Sequence, residues 1–107
     1  MAGPFRLVLT GQSGARYQYA EMDLRKQFYL GIPGNYVLAK RDKSGNATLI
    51  CAGEHSDLYR LPDPILARAL HEHGASLVLV RENRDAEARK AEVADIVAAY
   101  DPVLNRA

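Results

Sequence analysis

The chain has 107 residues, 48% hydrophobic and 25% charged, which leaves room for one domain with one core and places it among ordinary globular proteins. Its 14 basic and 13 acidic residues give a net charge of +1, without the basic surplus typical of a strong nucleic-acid binder. No run approaches the ~20 apolar residues of a membrane span, Phe5 to Leu9 lacks a cleavage-site pattern, and one cysteine cannot form an internal disulfide, so a cytoplasmic protein with no membrane partner is expected.

In chain order, Phe5 to Thr10 and Arg16 to Ala20 read as two strands of a hairpin around Gly11-Gln12-Ser13-Gly14-Ala15. The two glycines do not make a phosphate loop, because no Lys-Ser/Thr and no helix follow them. Glu21 to Leu30 is ambiguous, with a short helix suggested by Leu24, Phe28 and Tyr29, and Gly31-Ile32-Pro33-Gly34 breaks any regular element. Tyr36 to Lys40 and Ala47 to Ala52 form a second hairpin across a polar, glycine-bearing turn. Gly53 to Pro62 reads as loop or a single helical turn.

Asp63-Pro64 has the pattern of an N-cap followed by a first-turn proline, and Ile65, Leu66, Ala69 and Leu70 make an apolar helical stripe that Gly74 ends. Leu77 to Val80 is a short, continuously apolar strand. Asn83 is the expected cap of a last helix, with Asp85 and Glu87 in its first turn. Val93, Ile96, Val97 and Tyr100 are its expected buried face, and Pro102 ends it near Tyr100. The order predicts an α/β (α+β) fold, a small antiparallel or mixed sheet with two or three packed helices.

Three stretches in this order resemble the GIY-YIG nuclease domain. Ile32-Pro33-Gly34-Asn35-Tyr36-Val37-Leu38 is similar to the opening "pGxY" strand. Leu49-Ile50-Cys51-Ala52-Gly53, followed by Ser56-Asp57-Leu58-Tyr59-Arg60, is similar to "ilYvG" and "dLxxR". The run from Arg89 through Glu92 and Tyr100 to Asn105 is similar to the closing helix and tail, "E..LI..y.P.lN". The resemblance implies a GIY-YIG-like domain over residues 32–107, preceded by an N-terminal hairpin extension (1–31), the two making one compact unit.

It also implies metal-dependent hydrolysis of nucleic-acid phosphodiesters. In this scheme Tyr36 helps activate the attacking water, Arg60 steadies the phosphate, and Glu92 holds Mg²⁺ or a similar divalent cation. Gly53 and Asn105 support the site, and His55 is a candidate for assisting proton transfer. Three departures point to reduced or lost catalysis: Cys51 replaces the second-motif tyrosine, Arg60 lies one residue early, so that Leu61 takes the expected arginine position, and Pro62 and Pro64 disrupt the helix that presents the arginine. The alternative is a non-catalytic nucleic-acid- or protein-binding module. Arg6, Arg16, Arg25, Lys26, Lys40, Arg41 and Lys43 make the first half more basic, so nucleic-acid binding is expected to be weak and salt-sensitive.

Each residue also has a plainer reading. Tyr36 is then a packed strand aromatic, Glu92 a solvated helix residue, Arg60 a surface cation and Cys51 a small buried hydrophobe. His71 and His73, two apart on a helix, diverge and suit the surface of its last turn better than a metal.

Overall fold

The computed structural model describes residues 6–22, 32–58 and 63–106. The β-prone runs become five strands: β1 (Arg6–Thr10), β2 (Arg16–Met22), β3 (Gly34–Arg41), β4 (Ala47–His55) and β5 (Leu77–Glu82). With α1 (Asp63–His73), α2 (Ala86–Tyr100) and a 3₁₀ turn at Val103–Asn105, they make an α+β fold. The strands form one sheet in the order β1-β2-β5-β3-β4, with every neighbouring pair antiparallel. β5 thus joins the two hairpins, and the first hairpin is part of the same sheet as the rest.

Burial follows from the layering. β3 is buried from Gly34 to Ala39 without alternation, because a helix covers each face of the sheet. On one face Leu9, Tyr19, Val37, Leu79 and Ile96 of α2 form an apolar cluster. On the other, Leu38, Ile50, Val78 and Ala69 of α1 form a second, with Ile65 and Leu66 packed against it. The sheet curls around α2, so that Leu9 of one edge strand and Leu49 of the other share the first cluster. Full burial of a side chain such as Ile96, which is 0% exposed, stabilises the fold by about 1.5–3 kcal/mol. A bulge opposite Leu38 and Ala39 puts both Ile50 and Cys51 on the α1 face, and Cys51 is the small buried hydrophobe expected of it.

Four expectations are corrected. The cap of α2 is Asp85, whose carboxylate accepts from the amides of Glu87 (3.0 Å) and Ala88 (3.3 Å). Asn83 instead turns inward and donates from Nδ2 to the side-chain oxygen of Asn35 (3.1 Å). Tyr100 is 39% exposed: the buried positions of α2 are Arg89, Glu92 and Ile96, and Tyr100 reaches the sheet only at the end of β1, where its hydroxyl accepts the Thr10 amide. Gly53, Glu54 and His55 extend β4 rather than forming a loop, since Tyr36, Asn35 and Gly34 of β3 pair with them. Glu21 and Met22 belong to β2 rather than to a helix; the remainder of that expected helix, residues 23–30, lies outside the described residues. The end of α2 is as expected: Asp101 is left-handed (φ 47°), its amide donates to the Val97 carbonyl, and Pro102 follows.

Candidate functional site

Tyr36 faces α1 and is 4% exposed, in the cluster with Leu38, Cys51 and Val80. Its ring lies over Gly53, its cross-strand partner, and a Cβ at that position would run into the ring and hydroxyl. Gly53 is therefore needed for close approach. Burial pushes the Tyr36 hydroxyl up to about 12, with Cys51 and Glu54 adding to the effect. At neutral pH the phenol keeps its proton and is a poor base. Burial also pushes the Cys51 thiol up. His55, half-buried at the end of β4, accepts the Asp57 amide at Nδ1 (2.9 Å), which leaves Nε2 as its donor. Arg60 lies outside the described residues.

Glu92 sits on the opposite face of the sheet, beneath α2, and is 4% exposed. The Tyr19 hydroxyl donates to Oε2 (2.6 Å) and Arg81 Nε to Oε1 (3.1 Å). Tyr19 is itself 1% exposed, and burial, reinforced by the bond to Glu92, drives its hydroxyl far above the usual tyrosine range. Glu92 is thus neither a solvated helix residue nor an open ligand. The reason is geometric: residues three apart on a helix share a face, so the stripe that buries Ile96 also buries Glu92 and Arg89, and buried charges need partners. A hard cation such as Mg²⁺ would need carboxylate oxygens reachable with several waters. Both oxygens of Glu92 are engaged from within, so the residues present do not fit it. Among the described residues no group of three or more His, Cys, Asp or Glu is placed to hold a metal.

The same belt extends along α2 in both directions. The Arg81 guanidinium stacks over the Tyr17 ring (5.8 Å to its centroid), and the Tyr17 hydroxyl donates to Asp95 Oδ2 (2.7 Å). Ser13, in the β1–β2 turn, donates from Oγ to Oδ2 (2.6 Å) and from its amide to Oδ1 (2.8 Å). These bonds, Ser13 first and Tyr17 next, hold the Asp95 carboxyl below the usual carboxylate range. The bond to Asp95, then burial, pushes the Tyr17 hydroxyl up to about 12. Gly11 is needed here as well, since a Cβ would meet the Asp95 carboxylate. Toward the start of α2, Arg89 (7% exposed) donates from Nε to Glu54 Oε1 (2.7 Å) and from Nη1 to the Asn83 carbonyl (3.1 Å). Asn35, fully buried, donates from Nδ2 to the Arg89 carbonyl (3.0 Å).

Sequence reasoning missed Tyr17, Tyr19, Arg81, Asp95, Arg89, Asn35 and Glu54. The available signal was the charged pair Arg89 and Glu92 on the helical stripe of Ile96, which requires opposite partners on the sheet. Asn105 clamps the edge of β4: the Ala52 amide donates to its Oδ1 and its Nδ2 donates to the Ala52 carbonyl, both 2.8 Å. The outward groups of an edge strand are thereby satisfied by the tail. Of the expected site residues, Tyr36 and Gly53 meet on the α1 face, while Glu92 lies across the sheet from them.

At the far end of the molecule, Lys40 and Lys43 are exposed. There an open groove of about 510 Å³ runs along β4 between the C-terminal ends of the two helices, and Lys40, Thr48, His73, Tyr100, Val103 and Arg106 line it. His71 is exposed and His73 half-buried, in the last turn of α1. No helix among the described residues is long and apolar enough to cross a membrane. In comparisons with known proteins, the chain matches no protein-family model, no curated protein and no solved structure.

Proposed function

We propose that this chain is a non-catalytic, nucleic-acid-binding relative of the GIY-YIG nucleases. The observation that carries the reading is the division of the expected centre. The Tyr36 hydroxyl and the Glu92 carboxylate lie on opposite faces of one sheet, and both Glu92 oxygens accept internal hydrogen bonds. One ion and one phosphate would have to touch both groups at once for the inferred hydrolysis to proceed. The missing second-motif tyrosine supports the same reading, because Cys51 is buried with its thiol pushed up and is no substitute for an exposed phenol.

Retained binding is supported by the sequence resemblance and by the exposed cations Lys40, Lys43 and Arg106 at one end of the molecule. With so few cations on a near-neutral chain, affinity is weak and declines as salt rises. The test pairs two measurements on the purified protein. Labelled single- and double-stranded oligonucleotides are incubated with Mg²⁺ or Mn²⁺, and binding is titrated at low and high salt. Salt-sensitive binding without cleavage supports the proposal, and metal-dependent cleavage refutes it. Binding of a cellular partner that is unchanged between the two salts, with no oligonucleotide bound, points to a protein-binding module.

A further inference from the structure

Two of the three large hydrophobic side chains exposed among the described residues, Tyr100 (39%) and Val103 (37%), lie in the groove beside β4. A tyrosine ring that faces water there must be held in place to serve as a platform, and this one is: its hydroxyl accepts the Thr10 amide (3.1 Å). The aromatic therefore loses little conformational entropy on binding a flat partner. Cations flank it. Lys40 leaves the end of β3 and lies over Gly74 at the end of α1. Arg106 approaches from the tail, where its guanidinium reaches Asp101 Oδ2 (3.2 Å), an exposed pair whose attraction is modest in water and readily exchanged for a phosphate. Asp101 is the one acid among the lining residues. The Thr48 hydroxyl and the apolar floor of Leu49 and Ile50 complete the surface.

An exposed, anchored aromatic between cations in a concave groove matches the chemistry of an unpaired nucleotide strand. In a duplex the base faces are stacked on one another and unavailable to a side chain. We infer that this groove binds single-stranded nucleic acid, with Tyr100 stacking on a base and Lys40 and Arg106 contacting the phosphates on either side. This rests on the reading that the domain binds nucleic acid, and it adds the strand form and the surface.

The experiment is fluorescence anisotropy with a labelled oligo-dT or oligo-U strand, a duplex of the same length, and a poly-Glu peptide. It compares the full chain with Tyr100→Leu, Tyr100→Phe, Lys40→Gln and Arg106→Gln. The single strand should bind more tightly than the duplex, and Tyr100→Leu should weaken it about tenfold or more, the scale of one stacked base. Tyr100→Phe keeps the ring but loses its bond to the Thr10 amide, so it should bind less tightly than wild type and more tightly than Tyr100→Leu, which separates stacking from any loss of folding. Two phosphate contacts give a slope of log affinity against log salt of about −1.4, and each charge variant should lower its magnitude by about 0.7. If single strand and duplex bind equally and the four variants change nothing, the groove assignment fails while nucleic-acid binding stands. If neither strand form binds at low salt, the underlying reading fails as well. Binding of the acidic peptide alone overturns the inference in favour of a protein partner.

Discussion

Replacing Glu92 by alanine should markedly destabilise this protein, although a helix glutamate is usually a surface residue. The substitution leaves the Tyr19 hydroxyl, in a residue 1% exposed, without its acceptor. An orphaned buried donor costs about 1–3 kcal/mol, and the emptied space beside it adds roughly 1 kcal/mol more. Arg81 is 35% exposed on its side chain, so it can turn to water and adds little. The total of about 2–4 kcal/mol is a large part of the roughly 5–15 kcal/mol that holds a domain of this size together. At about 5 °C per kcal/mol the melting temperature should fall by roughly 10–20 °C. Thermal and urea unfolding followed by circular dichroism measure it directly. A double-mutant cycle with Tyr19→Phe sharpens the test, because once the donor is gone the loss of Glu92 should cost about 1–2 kcal/mol less. A Glu92→Ala variant that melts within about 2 °C of wild type, or a cycle with no coupling, would refute the reasoning.

Asp95 gives a pH prediction. Hydrogen bonds from Ser13 and Tyr17 lower its folded value below the ordinary 3.8, so its contribution is present above that value and is lost as pH falls through the folded one. Urea midpoints of wild type and Asp95→Asn, apart at neutral pH, should converge as pH falls below the ordinary carboxylate range, and a constant gap would contradict this. Gly53→Ala should cost about 1–3 kcal/mol by overpacking against Tyr36, measured by urea unfolding, and the cost should shrink in a Tyr36→Leu background. Cys51 is buried with its thiol pushed up, so a thiol reagent should label the native protein slowly and the urea-unfolded protein fast; fast native labelling would mean that the α1 face is open.

The sequence by itself determined the strands and helices whose signals are local. The apolar run Leu77 to Val80, the turn between Lys40 and Ala47, and Pro102 beyond Tyr100 each constrain the chain within a few residues, and each sits where its pattern required. The antiparallel pairing of Tyr36 to Lys40 with Ala47 to Ala52 followed from the same turn. Only the tertiary structure decided what depends on partners distant in sequence. That β5 pairs with both β2 and β3, and so brings the first hairpin into the sheet, is a choice among strand orders that local pattern leaves open. Asn83 and Asp85 are both competent caps, and Asn83 lost that role because Asn35, 48 residues away, offered it a buried acceptor. Glu92 has the spacing of a helix residue facing either water or the core. Its fate was settled by Tyr19 and Arg81 on two different strands, since a carboxylate leaves water only where donors await it.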